Sequence, residues 1–338
     1  MADKILVELG KNAMLRTAPA NYSADLVGKS FRGEVEKLAG NYDLYRRNKL
    51  EVFELMQEVY NEVLPQVVYD RYGFLANIVQ IPNGAKATFK KKLGRMRAKT
   101  FVTKVGLNGV FETFRLDSTT FEVDTEAVGG AAVLDWERFL AGQEDLSDYL
   151  EILLEGVDEY IYKMLTEALN ASYSAVGRPS NTVHTGNSFD KTEFDKLITT
   201  VKAYGAPVIV CTPEFADTIP ATSISVTSGS TTTTKISDTD VEDMRQFGVL
   251  RMYKGCPLMV IPQSFTDETN TAKVLDPKYA YIIPSNNEKL ANIVFEGGAI
   301  VDEFKNKDRS IELSVYQKVG VAIMHTNNWA IYKNTSLS

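Results

Sequence analysis

With 338 residues, 44% hydrophobic and 24% charged, the chain is long enough for more than one substructure with its own core, and its composition is that of an ordinary folded protein. Its 37 basic against 44 acidic residues leave a net charge of -7, which argues against a surface built throughout to grip polyanions. No run of about 18 apolar residues reads as a membrane span, and the opening "MADKILVELGKNAML" lacks the apolar block of a secretory leader.

Residues 1–40 are mixed, with Gly28, Gly33 and Gly40 as interruptions, and read as an extended arm ordered by whatever it touches. From Asp43 to Leu64 the spacing predicts a helix: Leu44, Phe53, Met56, Tyr60, Val63 and Leu64 fall near one face, and Pro65 is expected to stop it. Residues 67–126 change to a two-residue rhythm, clearest in "FETFRLDSTTFEV", with a hairpin turn expected at Asn108-Gly109. On one arm of this excursion lies "KATFKKKLGRMRAKTFVTK", residues 86–104, with eight basic residues and no acid. A two-stranded ribbon is marginal in water by itself, so this one should lean on something.

The strongest helical pattern runs from Leu146 to Leu169, through Leu150, Leu153, Val157, Ile161 and Leu165. At 1.5 Å per residue it is about 36 Å long. Between Leu134 and Glu167 there are ten acids and two bases, net -8. After Gly177-Arg178-Pro179 the texture changes. Asp190 with Glu193 resembles a capping box, and Phe194, Leu197, Ile198 and Val201 give a helix ending at Gly205. "PVIVCTP" reads as a buried central strand, and the Ser/Thr-rich residues 222–237 as a mobile surface loop. A helix over about 238–246 precedes "GVLRMYKGCPLMVIP", two strands hinged at Lys254-Gly255, closing an α/β unit over roughly 189–285. "KLANIVFEGGAIVDEF" and "RSIELSVYQKVGVAIMHTNNWAIYK" are terminal strands.

Residues that carry chemistry are sparse. His184 and His325 are too few and too isolated for a histidine metal site or most catalytic triads. There is no G-x-G-x-x-G, Walker loop, H-E-x-x-H, G-x-S-x-G or C-x-x-C. Cys211 and Cys256 sit in apolar stretches and read as buried free thiols of a reducing compartment, while Trp136 and Trp329 read as core anchors. No cofactor, metal or catalytic residue is implied, and the chain reads as a binder or builder.

In their order, these parts resemble a known family. "AVLDWERFLAGQEDLSDYLEILLEGVDEYIYKMLTEALNAS" is similar to the approach to the spine helix in major capsid proteins of tailed bacteriophages. "FGVLRMYKGCPLMVIPQSF" resembles that family's strand–Gly–strand segment, and "YQKVGVAIMHTNNWAIYK" its final strand, over roughly residues 70–335 together. The resemblance implies an α+β fold: an N-terminal arm with a helix (1–67), an extended loop built as a long β-hairpin (68–126, tip region 81–123), a peripheral domain (127–188 and the C-terminal strands 291–338) with spine helix 146–170, and an axial α/β domain (189–290). It also implies hexamers and pentamers of an icosahedral head that encloses double-stranded DNA without reading its sequence. Scaffolding, portal and decoration proteins would be further partners, with assembly in the host cytoplasm and a final place in the virion. Some relatives seal the shell with a Lys–Asn bond assisted by a Glu; here Lys318 and Val319 stand where that Glu would be sought, beside candidates Lys90, Lys91, Lys92, Asn327 and Asn328, so the pattern departs.

Three readings compete for the basic strip: a solvated edge in which Lys discourages aggregation, a phosphate-binding segment, and an intersubunit contact. The third pairs Lys86, Lys90, Lys91, Lys92, Arg95, Arg97, Lys99 and Lys104 with an acidic helix face, Glu144, Asp148, Glu151, Glu155, Asp158 and Glu159, on a neighbouring copy. A nanocompartment shell of the encapsulin kind and a nucleic-acid-binding protein using 86–104 are the alternatives.

Overall fold

Helices, not an extended arm, open the chain. The computed structural model describes residues 4–17, 23–91, 119–134, 146–175, 177–220, 223–228, 231–236, 238–261, 263, 265, 269–285, 289–305, 311–323 and 327–337. These divide into two units, one formed by 1–162 with 291–322, the other by 163–290 with 323–338.

In the first unit, α1 (Lys4–Met14), α2 (Ala24–Ala39) and α3 (Tyr42–Tyr72) pack against one another. The glycines that suggested irregularity have other roles. Gly28 and Gly33 lie inside α2 facing open space, and Gly40 caps its C-terminus. Gly10 of α1, in addition, lies where a Cβ would come within 2.8 Å of Phe31 and Val59, so α1 approaches closely because it lacks one. Asn41 caps α3, its Oδ1 accepting from the amides of Asp43 (2.8 Å) and Leu44 (3.1 Å). Pro65 does not stop this helix, which continues to Tyr72. An internal proline costs about 3 kcal/mol through a lost hydrogen bond and a ring clash. Beyond it Val68 is fully buried and Tyr72 nearly so, and burying a large apolar side chain contributes about 1.5–3 kcal/mol, which offsets the break.

A four-stranded sheet follows in the order β1 (Ala76–Ile81), β12 (Ala291–Lys305), β13 (Ile311–Ile323), β4 (Glu126–Leu134). β1 runs parallel to β12 from Ala76↔Ala291 to Ile81↔Glu296, and β13 antiparallel to β4 from Ile311↔Leu134 to Val319↔Glu126. The excursion leaves this sheet as β2 (Ala87–Lys91) and β3 (Thr119–Val123), antiparallel, with Phe89 opposite Phe121 and their rings 5.7 Å apart. The expected turn at Asn108-Gly109 lies outside the described residues. Helix α4 (Leu146–Ala171) carries the predicted stripe, with Leu150, Leu153, Val157, Ile161, Leu165 and Leu169 all buried.

The second unit is built on a mixed six-stranded sheet. Its order is β5 (Val183–Gly186), β14 (Ala330–Asn334), β11 (Tyr279–Ser285), β6 (Ala206–Cys211), β10 (Cys256–Val260), β9 (Met252–Tyr253). Helix α5 (Lys191–Lys202), capped by Asp190, lays Phe194, Leu197, Ile198 and Val201 on it. Short α6 (Pro213–Ala216) and α7 (Asp238–Phe247) complete the α-helices among the described residues. Lys254 (φ 48°) and Gly255 (φ 77°) form the two-residue hairpin turn between β9 and β10 that the sequence predicts.

Two expectations fail here. Where a loop is expected over 222–237, the described residues form strands: β7 (Ser223–Ser228) and β8 (Thr231–Ile236) pair from Ser223↔Ile236 to Ser228↔Thr231, as a run of β-branched threonines favours. The final strand, expected among the peripheral C-terminal strands, lies in the second unit between β5 and β11. The reason is burial. Trp329, Ala330, Ile331 and Tyr332 are all fully buried, and a strand apolar on both faces needs a central position. Arg178 holds its entry, stacking 4.3 Å from the Trp329 ring and donating to the carbonyls of Trp329 (3.1 Å) and Ser172 (3.0 Å); burial lowers its pKa to about 10.

Close backbone approach in β4 gives a prediction. A Cβ on Gly129 would lie 2.1 Å from the Val315 carbonyl oxygen. Gly129→Ala should lower the unfolding free energy by about 1–3 kcal/mol, whereas Gly28→Ala, in an open helical position, should raise it by about 0.5–1 kcal/mol. Urea titration of the two variants checks the opposite signs.

Candidate functional site

The outer face of α4 presents Glu151, Ile152, Glu155 and Tyr160 to solvent, with Glu159 half-buried beside them. Ile152 is 70% exposed and Tyr160 40%, so the face is acidic with apolar side chains set into it. Glu151 is engaged by Arg16 of α1 at 2.7 Å. Asp148 lies in the first turn of α4, and Glu144 lies outside the described residues.

Asp158 leaves this set. Its side chain is 2% exposed and pairs with Arg71 of α3, next to the stacked rings of Tyr72 and Tyr162 (5.9 Å). The spacing already contained the reason: positions 154, 158, 161 and 165 recur at three and four, so Asp158 falls on the buried stripe. Burial pushes its carboxyl above the usual carboxylate range, against the pull of the Arg71 guanidinium.

On the basic side, Lys86 is held across the ribbon by Glu122 at 3.2 Å, which raises its pKa through that hydrogen bond. Lys90 and Lys91 occupy β2 opposite Thr120 and Thr119. Lys92, Arg95, Arg97, Lys99 and Lys104 lie outside the described residues.

Glu296 is a site residue that the sequence did not reveal. It is 8% exposed, in the middle of β12. Its Oε1 accepts from the Gly84 amide (2.9 Å) and Lys318 Nζ (3.0 Å), and its Oε2 from the Thr125 hydroxyl. Those donors, led by Thr125, hold its pKa down at about 2. Lys318 is therefore the partner of an ionised carboxylate, with Asn83 Oδ1 3.4 Å from its Nζ. No trio of His, Cys, Asp or Glu among the described residues is placed to hold a metal ion, and no described helix is long and apolar enough to cross a membrane.

The family model described as "SPbeta prophage-derived putative capsid protein YonB" matches residues 28–333. No curated protein matches the chain. The capsid of a native GTA particle is 10% identical over 78% of this chain and 89% of its own, with a TM-score of 0.50. A virus-like particle from Pyrococcus furiosus is 11% identical over 84% of this chain and 100% of its own, TM-score 0.48. The holo-SrpI encapsulin complex from Synechococcus elongatus PCC 7942 is 10% identical over 78% and 86%, TM-score 0.44. The first of these bears on the fold; the other two are looser.

The Arg71–Asp158 pair sets a signed prediction. A carboxyl whose pKa is raised on folding favours the folded state fully below its unfolded value, and that contribution is lost as pH rises through the folded one. Asp158→Asn should remove this loss above about pH 4 and cost little at neutral pH, because Arg71 is 61% exposed and stays hydrated. Arg71→Ala, which leaves a buried carboxylate uncompensated, should cost about 1–3 kcal/mol. Unfolding free energies of both variants from pH 3 to 8 decide it.

Proposed function

Because the chain belongs to the YonB family of prophage-derived capsid proteins and has the tailed-phage major capsid fold, we propose that it assembles through its basic ribbon, laid across the acidic outer face of α4 on a neighbouring copy. As a major capsid protein its role is structural: it packs with copies of itself and belongs to the virion. The finer reading is an icosahedral head of hexamers and pentamers that encloses double-stranded DNA and is built in the host cytoplasm. Scaffolding, portal and decoration proteins are its further partners. The second unit serves as the axial domain; the four-stranded sheet with α4 forms the peripheral one. A nanocompartment shell is the weaker reading, since the matching family is prophage-derived.

The exposed face of α4 carries this proposal. Acidic side chains there flank Ile152 and Tyr160, apolar groups left in water, while residues 86–104 carry eight positive charges and Phe89 and Phe101. Charge complementarity sets register and orientation, and apolar burial at about 25 cal/mol per Å² supplies most of the affinity. One exposed ion pair contributes only about 0.2–1 kcal/mol. Each copy in a closed shell makes several such contacts, so individually weak pairs permit correction during growth and hold collectively afterwards. The acidic balance of the chain suits an inner wall that must not grip packaged DNA.

Reversing Lys90, Lys91 and Lys92 to Glu together should leave a folded chain of unchanged far-UV circular dichroism that forms no particles in negative-stain micrographs. Adding Glu151→Lys, Glu155→Lys and Glu159→Lys should restore part of the assembly. Particles of normal yield from the triple reversal, with nucleic-acid binding lost instead, would make the strip a phosphate-binding segment.

A further inference from the structure

Widely separated segments meet at the Glu296 carboxylate, and two of them are the roots of the ribbon. Gly84 lies just before β2 and Thr125 just after β3, so one side chain holds both ends of the excursion while Lys318 of β13 anchors it from the sheet. The backbone around Glu296 is shaped to aim it. Gly297 sits in mid-strand at φ 70°, where a Cβ would come within 3.1 Å of Asn83, and the Ala299 amide donates to Asn61 Oδ1 of α3 at 2.7 Å. This kink in β12 is clasped by the long helix on one side and by the turn leading into the ribbon on the other.

Two further contacts define how the ribbon is seated. Ala87 of β2, Val123 of β3 and Val294 of β12 form a small buried apolar pad at its root, with half-buried Ile81, Phe89, Phe121 and Ala322 packed against them. At Gly320 a Cβ would lie 2.5 Å from the Asp124 carbonyl oxygen, so the backbone of β13 touches the returning chain directly. Apolar contact is non-directional and leaves an angle undefined; charge-assisted hydrogen bonds are directional and fix one. The pad and the Gly320 contact thus provide a pivot, and Glu296 supplies the direction.

We propose that Glu296 is a latch that sets the angle at which β2 and β3 leave the four-stranded sheet, and that opening it lets this pair of strands swing together about the Asp124–Gly320 contact. Glu296 acts as a positioning residue here. The latch belongs to the single chain and rests on the shell reading only for what the ribbon then reaches.

The test is hydrogen exchange on the full-length, unassembled chain, comparing the native protein with Glu296→Gln and Thr125→Val. Glu296→Gln keeps the size of the side chain and removes the charge on which its bonds depend. Amides over 84–91 and 119–125 should then exchange about tenfold faster, with β6 and β11 unchanged. Thr125→Val should give a smaller rise confined to 119–125. Particles assembled from Glu296→Gln should spread in diameter. Unchanged exchange at the ribbon roots, or an equal rise in β6 and β11, overturns the latch; should Glu296→Gln fail to fold, the Thr125→Val profile decides by the same criterion. A native chain that forms no particles, while Glu296→Gln still frees the ribbon roots, overturns the shell reading and supports the latch.

Discussion

A two-stranded ribbon has two open edges and no second layer to cover its faces, so its position must be imposed by what lies at its root. In this chain that constraint falls on one carboxylate. Glu296 draws together the entry to the ribbon, its return and β13, beside an apolar pad of Ala87, Val123 and Val294 on which Ile81, Phe89, Phe121 and Ala322 pack. With this junction seated, β2 and β3 leave the sheet in one direction. The cores on either side of the division in the chain are conventional by comparison, each closed by packed helices and strands.

Charge in the molecule is sorted by its surroundings. Asp158 and Glu296 are buried and spend their charge inside the chain, one beside Arg71 and the other beside Lys318. Their environments drive them in opposite directions: burial dominates at Asp158 and raises its pKa, while hydrogen-bond donors dominate at Glu296 and lower it. Glu155 and its exposed neighbours on α4 remain in water. There a single ion pair has little effect on stability; in the proposed assembly it is a row of them that sets register.

The parts legible in the sequence are those written in local spacing. The stripe of α4, the face of α5 with its Asp190 cap, and the Lys254-Gly255 turn all follow from periodicity and turn chemistry within a few residues. What was missed depends on distant partners. Gly10 makes sense only beside Phe31 and Val59, and Pro65 is tolerated only because Val68 and Tyr72 find a core. β14 is drawn from its sequence neighbours into another sheet because it is apolar on both faces. Glu296 meets Gly84 across 212 positions and Thr125 across 171, beyond any window of sequence pattern. Asp158 lies between the two: its helical phase puts it on the buried stripe, while its charge groups it with the acids of the exposed face.

Cysteine pairing across copies reaches the central claim most directly. Lys91→Cys on the ribbon and Glu155→Cys on α4, in one chain whose native Cys211 and Cys256 are both buried, should under mild oxidation of assembled particles give a ladder of covalently joined subunits that reduction collapses. Particles that form normally and yield only single chains would show that the ribbon of one copy does not lie on the α4 face of the next.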